Sequence, residues 1–181
     1  INQDVVQPGG GFGEHGHANM EIISYVLSGE LAHKDSEGNE SVIRPGDVQK
    51  MTAGTGIRHS EFNHSKQSLV QFLQIWVVPD QVNVAPGYVQ KHFAGLLEPA
   101  EAPTLIFSPY GEGESLRIYQ DVSVLAGKLV NDSHWQYAGN QNRIGWLQVV
   151  EGSAQVNGET VSAGDGVAFV AGEAVEVSKT N

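Results

Sequence analysis

The stretch HGHANMEIISYVLSGELAHKDSEGNESVIRPGDVQKMTAGTGIRHSEFN, residues 15–63, decides the fold. It sets short runs rich in β-branched and aromatic residues, such as EIISYVL and SVIR, between Gly, Asn, Asp and Pro turn signals. KDSEGNE (34–40) reads as the loop of a longer hairpin. The two ends of the stretch carry His15 and His17, then His59 and Glu61, each pair two residues apart. Strand residues i and i+2 share a face, so each pair offers two donor side chains on one side of its strand. Two such strands facing each other aim three imidazoles and one carboxylate at one central ion. That set leaves room on an octahedral metal for water, dioxygen or substrate. Gly54 and Gly56 let the chain bend just before the second pair.

The rest of the chain repeats the pattern. LVQFLQIWVV, LRIYQDVSVLAG, GWLQVV, AQVNGETV and GVAFVA are further β-rich runs, and VNGE (156–159) is a two-residue hairpin signal because Asn-Gly suits positive φ. YVLSGE (25–30) resembles QVVEGS (148–153), and PGDVQKMTAG (45–54) resembles AGDGVAFVAG (163–172). Two similar β modules in tandem follow. The expected organisation is an N-terminal module over 1–79, a connector over 80–103 and a C-terminal module over 104–181. The stretch 79–103 holds four of the seven prolines and no clear period, with a short helix near 92–98. Aligned on its turns, the second copy places Val177 and Lys179 opposite His59 and Glu61, and Ala138 and Asn140 opposite the first two histidines. It carries the frame without the ligands, which points to a function confined to the first copy.

Composition narrows the chemistry. The chain of 181 residues is 40% apolar, enough for real cores. Its net charge of −11 disfavours phosphate backbones and anionic lipid, so direct nucleic-acid or membrane binding is not expected. With no cysteine, any metal is held by His and carboxylate, which fits Fe, Mn, Ni, Co, Cu or Zn. No apolar run reaches membrane-spanning length, and a cytoplasmic location is expected. Glu21 follows the alternation of His15 and His17 and is expected to support them by hydrogen bonds. His33, His64, His92 and His134 lack a partner at ligand spacing and are expected on surfaces or loops. Arg44 and Asp47 flank a Pro-Gly turn and are expected to stabilise it.

Residues 15–63 resemble the pirin and pirin-like bicupins, whose H-x-H-x3-E, P-G-D-x-Q-x-M-T-A-G and G-I-x-H-S-E pattern they follow almost throughout. The resemblance continues more weakly through FLQIWVVP (72–79) into the second half. It implies an all-β chain of two tandem cupin (double-stranded β-helix) barrels. It also implies one divalent metal, Fe(II) favoured, on His15, His17, His59 and Glu61, with Glu61 as catalytic base as well as ligand. The implied activity is quercetin 2,3-dioxygenase-type cleavage of a flavonol with O2; the alternatives are a metal- or redox-sensing cupin that binds a protein partner, or a folded inactive remnant. Family members usually carry extra strands at both ends, so open barrels or completion by a second copy in a homodimer are also expected. The usual Pro between the two histidines is Gly16 here, and the following basic residue is Ala18; both changes fall at the rim of the site. Phe12, Met20, Met51, Phe72 and Trp76 are candidate walls for a flat aromatic substrate, with barrel core as the default role of each.

Overall fold

The structure is a computed structural model that describes residues 1–178. The chain divides into two compact units, Ile1–Glu98 with Thr104–Ala126, and Pro99–Pro103 with Gly127–Asn181. In the first unit, β1 (Asn2–Val6), β2 (Gly11–His17), β3 (Glu21–Ser28), β4 (Leu31–Asp35), β5 (Glu40–Ile43), β6 (Asp47–Thr52), β7 (Ile57–Asn63), β8 (Val70–Val77) and β9 (Gly87–His92) form two sheets. Their orders are β1-β8-β3-β6-β9 and β2-β7-β4-β5. No helix among the described residues is long and apolar enough to cross a membrane.

β3 shows why this unit folds. Its neighbours are β6 and β8, and five of its eight residues, Glu21, Ile22, Ile23, Ser24 and Val26, are buried, so both faces of the strand are covered. Ile22 and Val26 face the barrel interior, Val26 packing with Leu31, Ile43, Val70 and Phe72. Ile23 faces the other way and packs with Val48, Phe93, Leu96, Ile106, Phe107 and Ile118. Each such side chain, fully buried, contributes roughly 1.5–3 kcal/mol. The outer cover includes β11 (Thr104–Ser108), β12 (Leu116–Arg117) and β13 (Val124–Ala126). The run LRIYQDVSVLAG is therefore broken rather than one strand: Tyr119 O accepts from Asp80 N, and Gln120 Nε2 donates to Val78 O. The connector, expected to hold only a short helix, also holds a strand. β9 lies within it and extends the first sheet against β6, from Asp47↔His92 to Thr52↔Gly87. Such pairing depends on a tertiary partner, which local composition does not reveal. The short helix is a 3-10 turn at Ala94–Leu96.

The second unit contains β10 (Pro99–Ala100), β14 (Lys128–Leu129), β15 (His134–Tyr137), β16 (Gly145–Gln148), β17 (Ser153–Val156), β18 (Glu159–Ser162), β19 (Gly166–Phe169) and β20 (Val175–Ser178). Its sheet β15-β20-β17-β18 repeats β2-β7-β4-β5, and its pair β16-β19 repeats β3-β6. The turns repeat at atomic level. Gly46 and Gly164 sit at φ 89° and 95°, where a Cβ is strained. Asp47 and Asp165 each accept, through Oδ2, the backbone N–H three residues back, from Arg44 and Ser162. The expected Asn-Gly hairpin is present, with Asn157 and Gly158 at φ 50° and 85° between Val156 and Glu159.

The strand ladders correct one alignment. His59 pairs with His15 and Ile57 with His17; in the second unit Val177 pairs with Trp135 and Val175 with Tyr137. Trp135 and Tyr137, rather than Ala138 and Asn140, therefore stand where His15 and His17 stand. They pack with Val156, Val161, Val175 and Val177, an apolar cluster in place of imidazoles. Lys179, aligned with Glu61, lies outside the described residues.

Candidate metal centre

β7 alternates as expected: Ile57, His59, Glu61 and Asn63 are buried and Arg58 and Phe62 are exposed. Gly54 and Gly56 precede it at φ 50° and 143°, so the bend uses backbone that other residues rarely adopt. β2 aligns with β7 through an irregularity between Phe12 and His15. Two residues of β2 there, Gly13 and Glu14, face the single Ser60 of β7, and this extra residue turns His15 and His17 to the side that His59 occupies.

His15, His17 and His59 converge. Their ring centroids lie 4.7 Å (His15–His17), 4.5 Å (His15–His59) and 5.0 Å (His17–His59) apart. His15 Nε2 and His59 Nε2 are 3.1 Å apart. Two nitrogens bound cis on an octahedral ion at ~2.1 Å stand about 3.0 Å apart, so this spacing suits a shared cation. His15 Nδ1 donates to Gly13 O at 2.8 Å, which makes its Nε2 the acceptor that faces His59. His17 Nε2 is buried with no protein partner, an acceptor that an ion would satisfy.

The electrostatics agree. Burial, then the charges of His15, His33 and His17, push the His59 pKa from 6.5 down to about 3. Burial and then His15 also lower that of His17. Both rings are thus held neutral, the form that binds metal. Glu61 is fully buried, and burial raises its pKa against the bonds it accepts from Ser24 and Gln74.

Glu61 is less simply placed. Its carboxylate groups with His33 and His59, whereas His15, His17 and His59 form the other set of donors within 4.8 Å. His59 belongs to both. His33 is not a surface residue: it is buried, its Nε2 bonds Asp35 Oδ2 at 3.1 Å, and its ring lies against Tyr88 and His59. The signal was available, since His33 and Asp35 are themselves two apart on a strand. The other three histidines are exposed. Glu21 does not support the ligands; it pairs with buried Lys50 at 2.5 Å and accepts from Tyr119 N. Of the candidate walls, Met51 and Phe72 are core and Met20 packs beside Met51. Trp76 and Phe12 are exposed, and the Trp76 ring stands edge-on to His17 at 5.0 Å. Gly16 and Ala18 line an open hollow of about 420 Å³ with His17, Ser36, Gly56, Ile57 and Arg58, so the two rim changes do face solvent beside the histidines.

Comparison with known proteins gives one consistent answer. The family described as Pirin matches residues 1–77, and the one described as Quercetinase C-terminal cupin domain matches 105–181. A quercetin 2,3-dioxygenase of Escherichia coli is 37% identical over 177 residues, 98% of this chain and 75% of that protein. The crystal structure of YhhW from Escherichia coli superposes with a TM-score of 0.90 at 36% identity, covering 97% of this chain and 73% of that one. A structure of bacterial pirin YhhW in complex with nickel(II), also from Escherichia coli, gives 0.88 at 37% identity, covering 97% and 74%.

Proposed function

Since this chain belongs to the pirin family, we propose that it is a metal-dependent dioxygenase that cleaves a flavonol-like substrate with O2. The convergence of three imidazoles, with Nε2 atoms of His15 and His59 at 3.1 Å, carries this reading. His15, His17 and His59 hold the ion, and Glu61 completes the set from its position beside His59. Such an ion supplies positive charge that favours the deprotonated form of a substrate hydroxyl and gives access to redox chemistry with O2. Fe(II) is the favoured occupant; nickel is the ion in one related structure, and Mn, Co, Cu and Zn suit the same donors.

The chain's own residues do the rest. Glu61 accepts the substrate's hydroxyl proton on a carboxylate oxygen, a role that burial favours by raising its proton affinity. Ser24 and Gln74 aim that carboxylate, donating to Oε1 and Oε2 at 2.9 and 2.7 Å. Trp76 and Phe12 offer exposed aromatic faces for a flat ring, and the core residues Met51 and Ile57 keep water from behind the site. The test is reconstitution with each of the six divalent ions and measurement of flavonol absorbance under air. Loss of absorbance with at least one ion is expected. No turnover with any ion defeats the proposal; an ion bound without turnover favours the metal-sensing alternative.

A further inference from the structure

β8 carries a hydrogen-bond chain that leads from the surface to Glu61. Gln74 Nε2 donates to Glu61 Oε2 at 2.7 Å, and Gln74 Oε1 accepts from the Trp76 indole N–H at 3.0 Å. On the other side, Ser24 Oγ donates to Glu61 Oε1 at 2.9 Å. Ser24 and Gln74 are direct partners in the β3–β8 ladder, so the two donors flank the carboxylate from neighbouring strands. Glu61 itself comes from β7, in the opposite sheet. The carboxylate thereby spans the barrel.

The chemistry of the three groups makes the chain directional. An indole N–H donates and cannot accept. It therefore turns the Gln74 carbonyl outward, which leaves the amide N–H facing Glu61. Replace the indole with a ring that has no N–H, and Gln74 Oε1 loses its partner, so that the Glu61 carboxylate alone holds the amide. With one of its two anchors gone, the amide is freer to swing away from Glu61 and holds the carboxylate less tightly.

We propose that Trp76 is a positioning residue for the metal centre: through the Gln74 amide it fixes the Glu61 carboxylate in the orientation that holds the ion. This rests on the reading that Glu61 serves the ion, and it goes beyond that reading in assigning an exposed aromatic residue a part in metal retention. The indole touches His17 as well, ring to ring at 5.0 Å, so a direct path competes with the relay and the test must separate them.

The test is a double-mutant cycle on the full chain, with Co(II) affinity measured by calorimetry for wild type, Trp76→Phe, Gln74→Met and the double variant. Phenylalanine keeps the aromatic face and loses the N–H; methionine keeps the length of Gln74 and loses the amide. Partners of metal ligands typically contribute about 10–100-fold to affinity, and Gln74→Met is expected to fall in that range. Trp76→Phe alone is expected to weaken Co(II) about 10-fold, and less than about 2-fold when Gln74 is already methionine. The Co(II) visible spectrum of Trp76→Phe is expected to shift toward that of Glu61→Gln. Equal weakening in both backgrounds assigns the effect to His17 and overturns the relay, as does a Trp76→Phe affinity equal to wild type. A wild-type protein that binds no Co(II), or a Glu61→Gln variant that binds as wild type does, defeats the underlying site reading instead.

Discussion

His59→Leu separates stability from metal binding in one substitution. His59 is 2% exposed, and its Nδ1 has no protein partner. Its pKa is pushed from 6.5 to about 3, chiefly by burial. The unfolded chain therefore takes up a proton near pH 6.5 that the folded chain refuses. The contribution is intact above that pH and is lost as pH falls toward the folded value. Between about pH 7.5 and about pH 5.5 this one group lowers the stability of the metal-free protein by about 1.4 kcal/mol. Glu61, raised by burial, acts in the opposite sense, so the informative quantity is the difference in slope between wild type and variant. Leucine removes the His59 contribution. It also removes a buried unpaired nitrogen, worth about 1–3 kcal/mol, against about 1 kcal/mol for the lost bond to His15. The variant is thus expected to be more stable at neutral pH by about 1 kcal/mol, and to lose less on acidification. Val177 shows that the frame accepts an apolar residue at the matching position. The assay is urea unfolding in the presence of chelator at the two pH values. Parallel pH dependence in wild type and variant would refute the claim that His59 is buried and neutral.

Three further outcomes follow from the same geometry. Saturation with Ni(II) at about 100 times its dissociation constant raises wild-type stability by about 2.7 kcal/mol, leaves His59→Leu unchanged, and is reversed by chelator; thermal melts read this. Glu21→Gln strands the buried Lys50 ammonium and costs about 3–5 kcal/mol, yet leaves ion affinity as in wild type, which calorimetry checks. Trp76 stands 5.0 Å from the His17 ring, so Cu(II) binding quenches indole fluorescence in wild type, and Trp76→Phe removes most of that quench.

Much of this was legible before the structure because strand alternation is a strict rule. Once β2 and β7 are strands, His15 and His17 share a face, as do His59 and Glu61. The repeat was legible because Gly46-Asp47 and Gly164-Asp165 build the same turn from the same atoms. What escaped depended on partners distant in sequence. β9 needs β6 beside it, and Glu21 has its partner Lys50 on a neighbouring strand. Alignment by turns could not show that Trp135 and Tyr137 replace the histidines, because the segments between strand and turn differ in length in the two units. His33 and Asp35 share the two-residue spacing of the other pairs, but the burial of His33 comes from Tyr88 and His59 on other strands, which local composition does not reveal. Gln74 went unnoticed as a single polar residue on an apolar strand; its meaning lies in Glu61 of the opposite sheet.

The most direct test of the metal centre is anomalous diffraction from crystals of the protein loaded with Fe(II) or Ni(II). The account predicts one ion per chain among His15, His17, His59 and Glu61, with none beside Trp135, Tyr137 and Val177. An ion bound without His15 and His17, or held instead by the buried set of His33, His59 and Glu61, would contradict it.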